Sequence, residues 1–230
     1  MSSLLLGLRS SLRAIADPAR AEGARAYMKS EMPFHGVGAV PLRKTCRALF
    51  EALEFETEGA WRAAVLDLWR NAKFREERYA AVELSGIRAA RAWQTMRALP
   101  MYEEMIVSGA WWDFVDAIAS HRLGAILRNE PAAMRRAMLA WSRDPDLWKR
   151  RSAILCQLGF KDATDLPLLY ACIEPSLGSK EFFLRKAIGW ALRQYAWTDP
   201  DEVRRYVRAN EERMSGLTKR EALKNVGRGK

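Results

Sequence analysis

Three short segments, RSAI at residues 151–154, RKAI at 185–188 and REAL at 220–223, resemble one another and decide the fold class. Each begins with arginine and has a small residue two positions later, and their first residues are separated by 34 and 35 positions. A fixed period of this length is typical of stacked helical hairpins, because a single hairpin cannot bury its apolar face alone. The segments therefore predict a helical repeat protein.

The same register extends toward the start of the chain, where the separations between anchor positions are 35, 35 and 38 residues. The complete set of anchors is Arg43, Arg78, Asp113, Arg151, Arg185 and Arg220. We expect about six hairpins that form an α-solenoid, with residues 1–230 as one continuous domain. The recurring basic anchor would line a concave face, although such arginines could instead cap helices or pair with acids of the neighbouring repeat.

The spacing of apolar residues supports an all-α fold along the rest of the chain. Residues such as Trp61, Val65 and Leu68 recur at helical intervals, and no alternating β-type run is present. Proline disfavours helix in the residue before it and is tolerated in the first turn of a helix, so X-Pro pairs predict helix boundaries. These pairs end at Pro18, Pro33, Pro100, Pro131, Pro145, Pro175 and Pro200.

The charge of the chain favours an anionic partner. The 230 residues carry a formal net charge of +10. Lysine and arginine that face a phosphate backbone release condensed counterions, which makes nucleic acid the commonest partner of such a chain. A basic surface that binds no polyanion would have the same composition, so the charge alone does not decide between the two.

Several other classes of protein do not fit the composition. The three cysteines are far apart and form no Cys-x-x-Cys pair, which argues against a disulfide framework and a thiolate metal site. His35 and His121 are the only histidines, so no metal and no histidine-based triad are expected. The chain also lacks a signal-peptide core and an apolar run long enough for a membrane span. We expect a cytoplasmic protein, associated with the nucleoid if it is bacterial.

One repeat departs from the pattern of the others. Asp113 replaces the basic anchor, and Asp116 occupies the position where other repeats have Ala81, Ile154 or Ile188. A carboxylate at an otherwise apolar position costs desolvation energy unless another group compensates it. Trp112 precedes Asp116 by four residues and shares its helical face. This repeat is therefore the candidate functional site.

These residues and several longer stretches resemble the AlkD-type DNA alkylation repair glycosylases, a family of HEAT-like repeat proteins. The resemblance extends over nearly the whole chain, and its stretches are specific when taken together. They comprise residues 26–29, 106–107, 111–116, 148 with 151–155, 179–183, 186–196 and 217–222.

The resemblance implies a monofunctional glycosylase that removes N3-methyladenine and N7-methylguanine from duplex DNA without a cofactor, and we expect a monomer. It places Asp116, Trp112 and Trp190 around the deoxyribose of the lesion and Arg151 on the nearby backbone. Trp111 and Trp148 are predicted to be core residues. The further residues predicted to contact DNA are Tyr27, Lys29, Lys186, Arg193, Lys219 and Arg220.

The predicted chemistry explains why these residue types are needed. Alkylation at N3 or N7 makes the purine cationic, so the base leaves as a neutral group and no general acid is required. The barrier then lies in positive charge that builds up on the sugar. A carboxylate near C1′ stabilises this charge and can hold the attacking water, and indole faces attract the same cation.

Three alternatives remain open from the sequence. Asp116 could pair with Arg151 only to tie two repeats together. The chain could be a non-catalytic relative that recognises bent or damaged DNA by its phosphates and shape. It could also be a HEAT-like scaffold for other proteins, which would need neither Asp116 nor the two tryptophans.

Overall fold

The computed structural model describes residues 3–227, and these residues form fourteen α-helices and no β-strand. The predicted all-helical class is therefore confirmed. The described residues divide between Gln94 and Thr95 into two compact units. The number of hairpins and the single continuous domain stay predictions.

The first unit contains five α-helices. Helix α1 packs on α3, α3 packs on α5, and α4 packs on α5. Large buried side chains of its core include Leu8, Trp61 and Trp69. The helices are α1 (Ser3–Ala14), α2 (Pro18–Met28), α3 (Ala39–Phe50), α4 (Glu58–Arg70) and α5 (Arg75–Leu84), and a short 3-10 helix follows (Arg88–Trp93).

Two buried glutamates at the start of α5 hold the first unit together. The carboxylate of Glu76 accepts hydrogen bonds from the amides of His35, Gly36 and Val37, at 2.9 to 3.0 Å. The carboxylate of Glu77 accepts two hydrogen bonds from Arg9 of α1, at 2.9 and 3.1 Å. These carboxylates therefore fix the loop that precedes α3 and connect α1 to α5.

The second unit contains nine of the helices described here. They are α6 (Leu99–Gly109), α7 (Trp112–Ala117), α8 (Gly124–Asn129), α9 (Pro131–Trp141), α10 (Leu147–Leu155), α11 (Leu166–Ile173), α12 (Phe182–Tyr195), α13 (Pro200–Ala209) and α14 (Gly216–Leu223). A π-helical turn (Ile118–Leu123) joins α7 to α8, and short 3-10 helices occur at Met96–Ala98, Lys161–Ala163 and Glu174–Ser176.

The anchor positions of the sequence repeat lie on helices that pack in succession. Helix α7 packs on α10, α10 packs on α12, and α12 packs on α14. Asp113, Arg151, Arg185 and Arg220 lie on these four helices in that order. The recurring sequence position thus corresponds to a recurring structural position in the second unit.

The X-Pro pairs predict the helix boundaries well. Pro18, Pro131 and Pro200 are the first residues of α2, α9 and α13. Asp17 and Asp199 precede two of these helices and accept hydrogen bonds from backbone amides in the first turn. Each aspartate therefore satisfies a donor that the start of a helix leaves without a partner inside the helix.

The described residues offer no preformed metal site. Residues 3–227 contain no group of three or more histidine, cysteine, aspartate or glutamate side chains able to hold a metal ion. Cys46, Cys156 and Cys172 are buried and free. Along the same residues, no helix combines the length and the apolar character that crossing a membrane requires.

Candidate functional site

The segment between α6 and α7 orients the start of α7. Ala110 ends α6 in the left-handed conformation (φ 42°), and its amide donates to the carbonyl of Ile106. Trp111 is extended, and α7 begins at Trp112. Asp116 follows Trp112 by one helical turn, so both half-buried side chains project from one face of α7.

A π-helical turn begins just after Asp116. It spans Ile118–Leu123 and is continuous with the helices on both sides. The hydroxyl of Ser120 donates a hydrogen bond of 2.6 Å to the main-chain carbonyl of Asp116. Single π-turns inside α-helices occur frequently at functional sites, which agrees with the position of Asp116 at the edge of this one.

Arg151 of α10 binds the carboxylate of Asp116 with two parallel hydrogen bonds. Arg151 Nε lies 2.7 Å from Asp116 Oδ1, and Arg151 Nη2 lies 2.8 Å from Oδ2. The remaining nitrogen, Nη1, donates to the carbonyl of Phe183 on α12. Arg151 therefore connects α7 to α12 and fixes the plane of the Asp116 carboxylate.

The surroundings of Asp116 act on its pKa in opposite directions. Burial raises the pKa, and the hydrogen bonds and charge of Arg151 lower it, while the nearby Asp113 raises it further. The net result is a raised pKa. The side chain of Asp116 remains 14% exposed, whereas that of Arg151 is only 5% exposed. Asp116 is thus a desolvated carboxylate that still reaches the surface.

An aromatic cluster packs beside this ion pair. The ring of Phe183 lies 5.0 Å from that of Trp148 and 5.5 Å from that of Trp111. Trp148 is buried, as predicted, while Trp111 is half-buried. The exposed ring of Phe182 meets Phe183 edge to face. The guanidinium carbon of Arg151 lies 5.9 Å from the centre of the Phe183 ring, so the cluster adjoins the arginine of the pair.

Trp190 lies in the middle of α12, where this helix closely approaches α14. It is half-buried and packs against the hydrophobic core that α10 to α14 share. A Cβ atom on the preceding residue, Gly189, would lie 2.5 Å from the Cβ of Glu221. Glycine is therefore required at position 189 for α12 and α14 to approach this closely.

Two residues of α12 that are predicted to contact DNA are paired with an acid of α14, the helix that packs on α12. Glu221 of α14 lies 3.1 Å from the amine of Lys186 and 2.6 Å from the guanidinium of Arg193. Burial raises the pKa of Glu221, but the two cations outweigh burial, and the pKa is lowered overall. From the sequence, such pairing was foreseen only for the anchor arginines, so the pairing of Lys186 and Arg193 with Glu221 is a finding of the structure.

The other predicted DNA contacts lie at the surface. In the first unit, Tyr27 is 77% exposed, and Lys29 is exposed at the end of α2. In the second unit, Arg220 is exposed on α14, and the amine of Lys219 lies 3.4 Å from the carboxylate of Glu211. These side chains are accessible to a large partner such as DNA, and their contacts with DNA stay a prediction.

The structure thus brings Asp116 and Arg151 together and shows two groups that sequence reasoning missed: the Phe183 carbonyl, which accepts from Arg151, and Glu221, which pairs with Lys186 and Arg193. Glu221 belongs to the third of the repeated segments and follows the anchor Arg220 directly. Its position was therefore visible in the sequence. The role of the Phe183 carbonyl was not, because a main-chain acceptor has no sequence signal.

The second unit is an array of helices that holds a desolvated carboxylate–arginine pair beside indole rings. The sequence profile described as DNA alkylation repair enzyme matches residues 8–226. The chain belongs to this family. DNA is therefore its implied partner, and the resemblance noted from the sequence is confirmed.

A solved structure supports the same assignment. The chain is similar to a structure described as a predicted DNA alkylation repair enzyme from Enterococcus faecalis, with 26% sequence identity and a TM-score of 0.83. The similarity covers 93% of this chain and 98% of that one. Among curated proteins, none matches the chain.

Proposed function

We propose that this protein is a monofunctional DNA glycosylase that hydrolyses the N-glycosidic bond of cationic N3- or N7-alkylated purines in duplex DNA. The observation that carries the proposal is the carboxylate of Asp116. It is desolvated, held by Arg151 through two hydrogen bonds, partly open to the surface and one turn after Trp112. Family membership supplies the context of DNA alkylation repair.

In the proposed reaction, the bond between C1′ and the purine nitrogen breaks, and its electron pair neutralises the positive charge of the base. The sugar becomes cationic in the transition state and is attacked at C1′ by water. The water loses one proton, which passes through the carboxylate of Asp116 to the solvent. No acid has to protonate the base, because alkylation has already made it a good leaving group.

The geometry around Asp116 suits this role. An ionised carboxylate has about four acceptor positions, and Arg151 occupies two of them. The others remain for water and for the developing charge on the sugar. Because Arg151 also fixes the carboxylate plane, little reorganisation accompanies the reaction, which is the condition under which electrostatic stabilisation is most effective.

Trp112 and Trp190 would contribute through the electron-rich faces of their indoles, which attract a cation. Trp112 projects from the same face of α7 as Asp116. Trp190 is held on α12, the helix whose Phe183 carbonyl accepts from Arg151. Each is half-buried, so each retains surface for contact with a sugar or a base.

The test is incubation of the protein with duplex DNA methylated at N7 of guanine and N3 of adenine, followed by separation of released bases. Release of free methylpurine above the spontaneous rate, with none from unmethylated duplex, is the expected result. Asp116→Asn serves as the matched control, because it keeps the shape of the side chain. Release at the spontaneous rate only would overturn the proposal.

A second candidate function has one specific observation in its favour. The two hydrogen bonds between Asp116 and Arg151 join α7 to α10, as expected for a pair that only ties neighbouring repeats together. The protein would then bind DNA without cleaving it. Duplex binding without base release in the same experiment would support this candidate.

A further inference from the structure

The first unit contains a cleft lined by three arginines that the site described above does not include. The cleft has a volume of about 430 Å³ and lies between α3 and the segment that follows α5. Arg43 and Arg47 line it from α3, and Arg88 lines it from the start of the 3-10 helix. Cys46 and Phe50 form part of its floor and are buried.

The arginines of this cleft are not paired with acids, in contrast to several basic residues of the second unit. Arg151 is bound to Asp116, and Lys186 and Arg193 are bound to Glu221. Within residues 3–227, the side chains of Arg43, Arg47 and Arg88 make no hydrogen bond and no ion pair. Three solvated guanidinium groups on one cleft are therefore available to an external anion.

From this arrangement we infer that the cleft binds phosphate groups of the DNA backbone, as a second contact region outside the Asp116 site. A guanidinium group presents a planar set of donors that matches two oxygens of a phosphate. Arg91 lies three residues after Arg88, so the 3-10 helix places it on the same face, where it extends the row of cations.

Two acids also line the cleft and determine which anion fits. Glu51 and Glu83 contribute negative charge. Burial, with a smaller contribution from the charge of Glu83, raises the pKa of the Cys46 thiol to about 12. With three arginines against two glutamates, the cleft has only a small excess of positive charge. A single free phosphate would gain little there, whereas a backbone phosphate is held at the cleft by the other contacts of the duplex.

The inference rests on the proposed function only in taking DNA as the partner, and its test requires no catalysis. The affinity for an unmethylated duplex is measured at several salt concentrations for the wild type and for Arg43→Gln, Arg47→Gln and Arg88→Gln. Each variant should reduce the slope of log affinity against log salt by about 0.9 for each lost phosphate contact. At about 0.1 M salt this corresponds to roughly tenfold weaker binding per contact.

Arg208→Gln is the matched control. It removes the same charge from an exposed position on α13, a helix without a repeat anchor, beside Glu211 and Glu212. It should leave the slope unchanged. Glu51→Gln should act in the opposite direction and strengthen binding, because it removes a negative charge from the cleft. Circular dichroism of each variant checks that the helices are retained.

Two results would overturn the inference. In the first, the three cleft variants change the slope no more than Arg208→Gln does. In the second, sodium phosphate raises the melting temperature of the wild type but not of the triple cleft variant, while both bind duplex with the same slope. The cleft would then be a site for free phosphate. A missing glycosylase activity affects neither measurement, so the two proposals fail separately.

Discussion

Both units contain a carboxylate bound by an arginine through two hydrogen bonds, but the surroundings of the two pairs differ. In the first unit, Glu77 accepts from Arg9 at 2.9 and 3.1 Å. In the second unit, Asp116 accepts from Arg151 at 2.7 and 2.8 Å. The two pairs are nearly equivalent in their own geometry, so any difference between them must come from the neighbouring groups.

The neighbours of Glu77 favour its charged form. Its carboxylate also accepts from the amide of Lys73 at 2.7 Å, and His35 Nε2 lies 3.6 Å away. Burial acts to raise the pKa of Glu77, but these groups and Arg9 outweigh it and lower the pKa to about 2. For Asp116 burial prevails over Arg151, and the pKa is raised.

An arginine–carboxylate pair of this geometry can therefore have a structural or a catalytic role. The number of further hydrogen-bond donors to the carboxylate distinguishes the two roles. Glu77 has no exposed surface and several donors, as expected for a structural group. Asp116 keeps some exposure and lies one turn after Trp112. Its surroundings, Arg151 included, stabilise its charge less well than those of Glu77, and the transition state of the proposed reaction supplies a further positive charge.

The first prediction compares how much each ion pair contributes to the free energy of unfolding. Glu77→Gln should lower the free energy of unfolding by about 3–5 kcal/mol, because the fold stabilises the ionised carboxylate of Glu77 and thereby lowers its pKa to about 2. Asp116→Asn should lower it by about 1 kcal/mol or less, because the surroundings of Asp116 disfavour the charge that is removed. Urea titrations followed by circular dichroism measure both values. Equal losses would show that the two pairs have the same structural role.

The second prediction concerns the stability of the protein in acid. Because the pKa of Glu77 is about 2 in the folded protein against about 4.5 for an ordinary glutamate, its ionised form stabilises the fold above about pH 4.5. This contribution is lost as the pH falls toward about 2. Urea titrations at several pH values should show this loss in the wild type and a smaller one in Glu77→Gln. The same pH dependence in both proteins would exclude Glu77 as its source.

The third prediction concerns the pH dependence of base excision. Asp116 must be ionised to stabilise the sugar cation, so excision should decline as the pH falls through its raised pKa, above the ordinary value of about 3.9. Arg151→Ala should move this decline to higher pH, because it removes the hydrogen bonds and the charge that oppose the effect of burial. Single-turnover rates across the pH range measure both. An unshifted decline in Arg151→Ala would mean that another group titrates.

The smallest expected effects concern the tryptophans. Trp112→Ala and Trp190→Ala should each slow excision by roughly tenfold or less, since each removes one interaction between an indole and a cation. Trp197→Ala is a suitable control, because Trp197 is exposed and lies beyond the end of α12. Rates are measured with enzyme in excess, which separates chemistry from binding. A loss as large as that expected for Asp116→Asn would mean that the indoles do more than attract charge.

Much of the fold could be predicted from the sequence because its determinants are local. Helical periodicity, X-Pro pairs and the recurring segments depend on residues close together in the chain, and they predicted the all-helical class and the helix boundaries at X-Pro pairs such as Pro18, Pro131 and Pro200. Asp116 was also found locally, as a carboxylate at an otherwise apolar repeat position. The sequence further raised the possibility of its pairing with Arg151, which the structure shows.

The features that sequence reasoning missed depend on distant residues. The contrast between Asp116 and Glu77 depends on the number of donors that reach each carboxylate, and such donors include the main-chain amide of Lys73. The pairing of Lys186 and Arg193 with Glu221 requires α12 to approach α14 closely, which Gly189 permits. None of these distances can be obtained from periodicity or composition.

In the proposed reaction the carboxylate of Asp116 stabilises the sugar cation, and Asp116→Asn removes the charge while it keeps the shape of the side chain. Single-turnover release of N7-methylguanine from duplex DNA is compared between the wild type and Asp116→Asn, with enzyme in excess. The rate should be about 10²- to 10³-fold lower in Asp116→Asn, the effect expected when one preorganised electrostatic group is lost, and the DNA affinity should hardly change. A variant that cleaves at the wild-type rate would contradict the account and leave Asp116 as an ion-pair residue between neighbouring repeats.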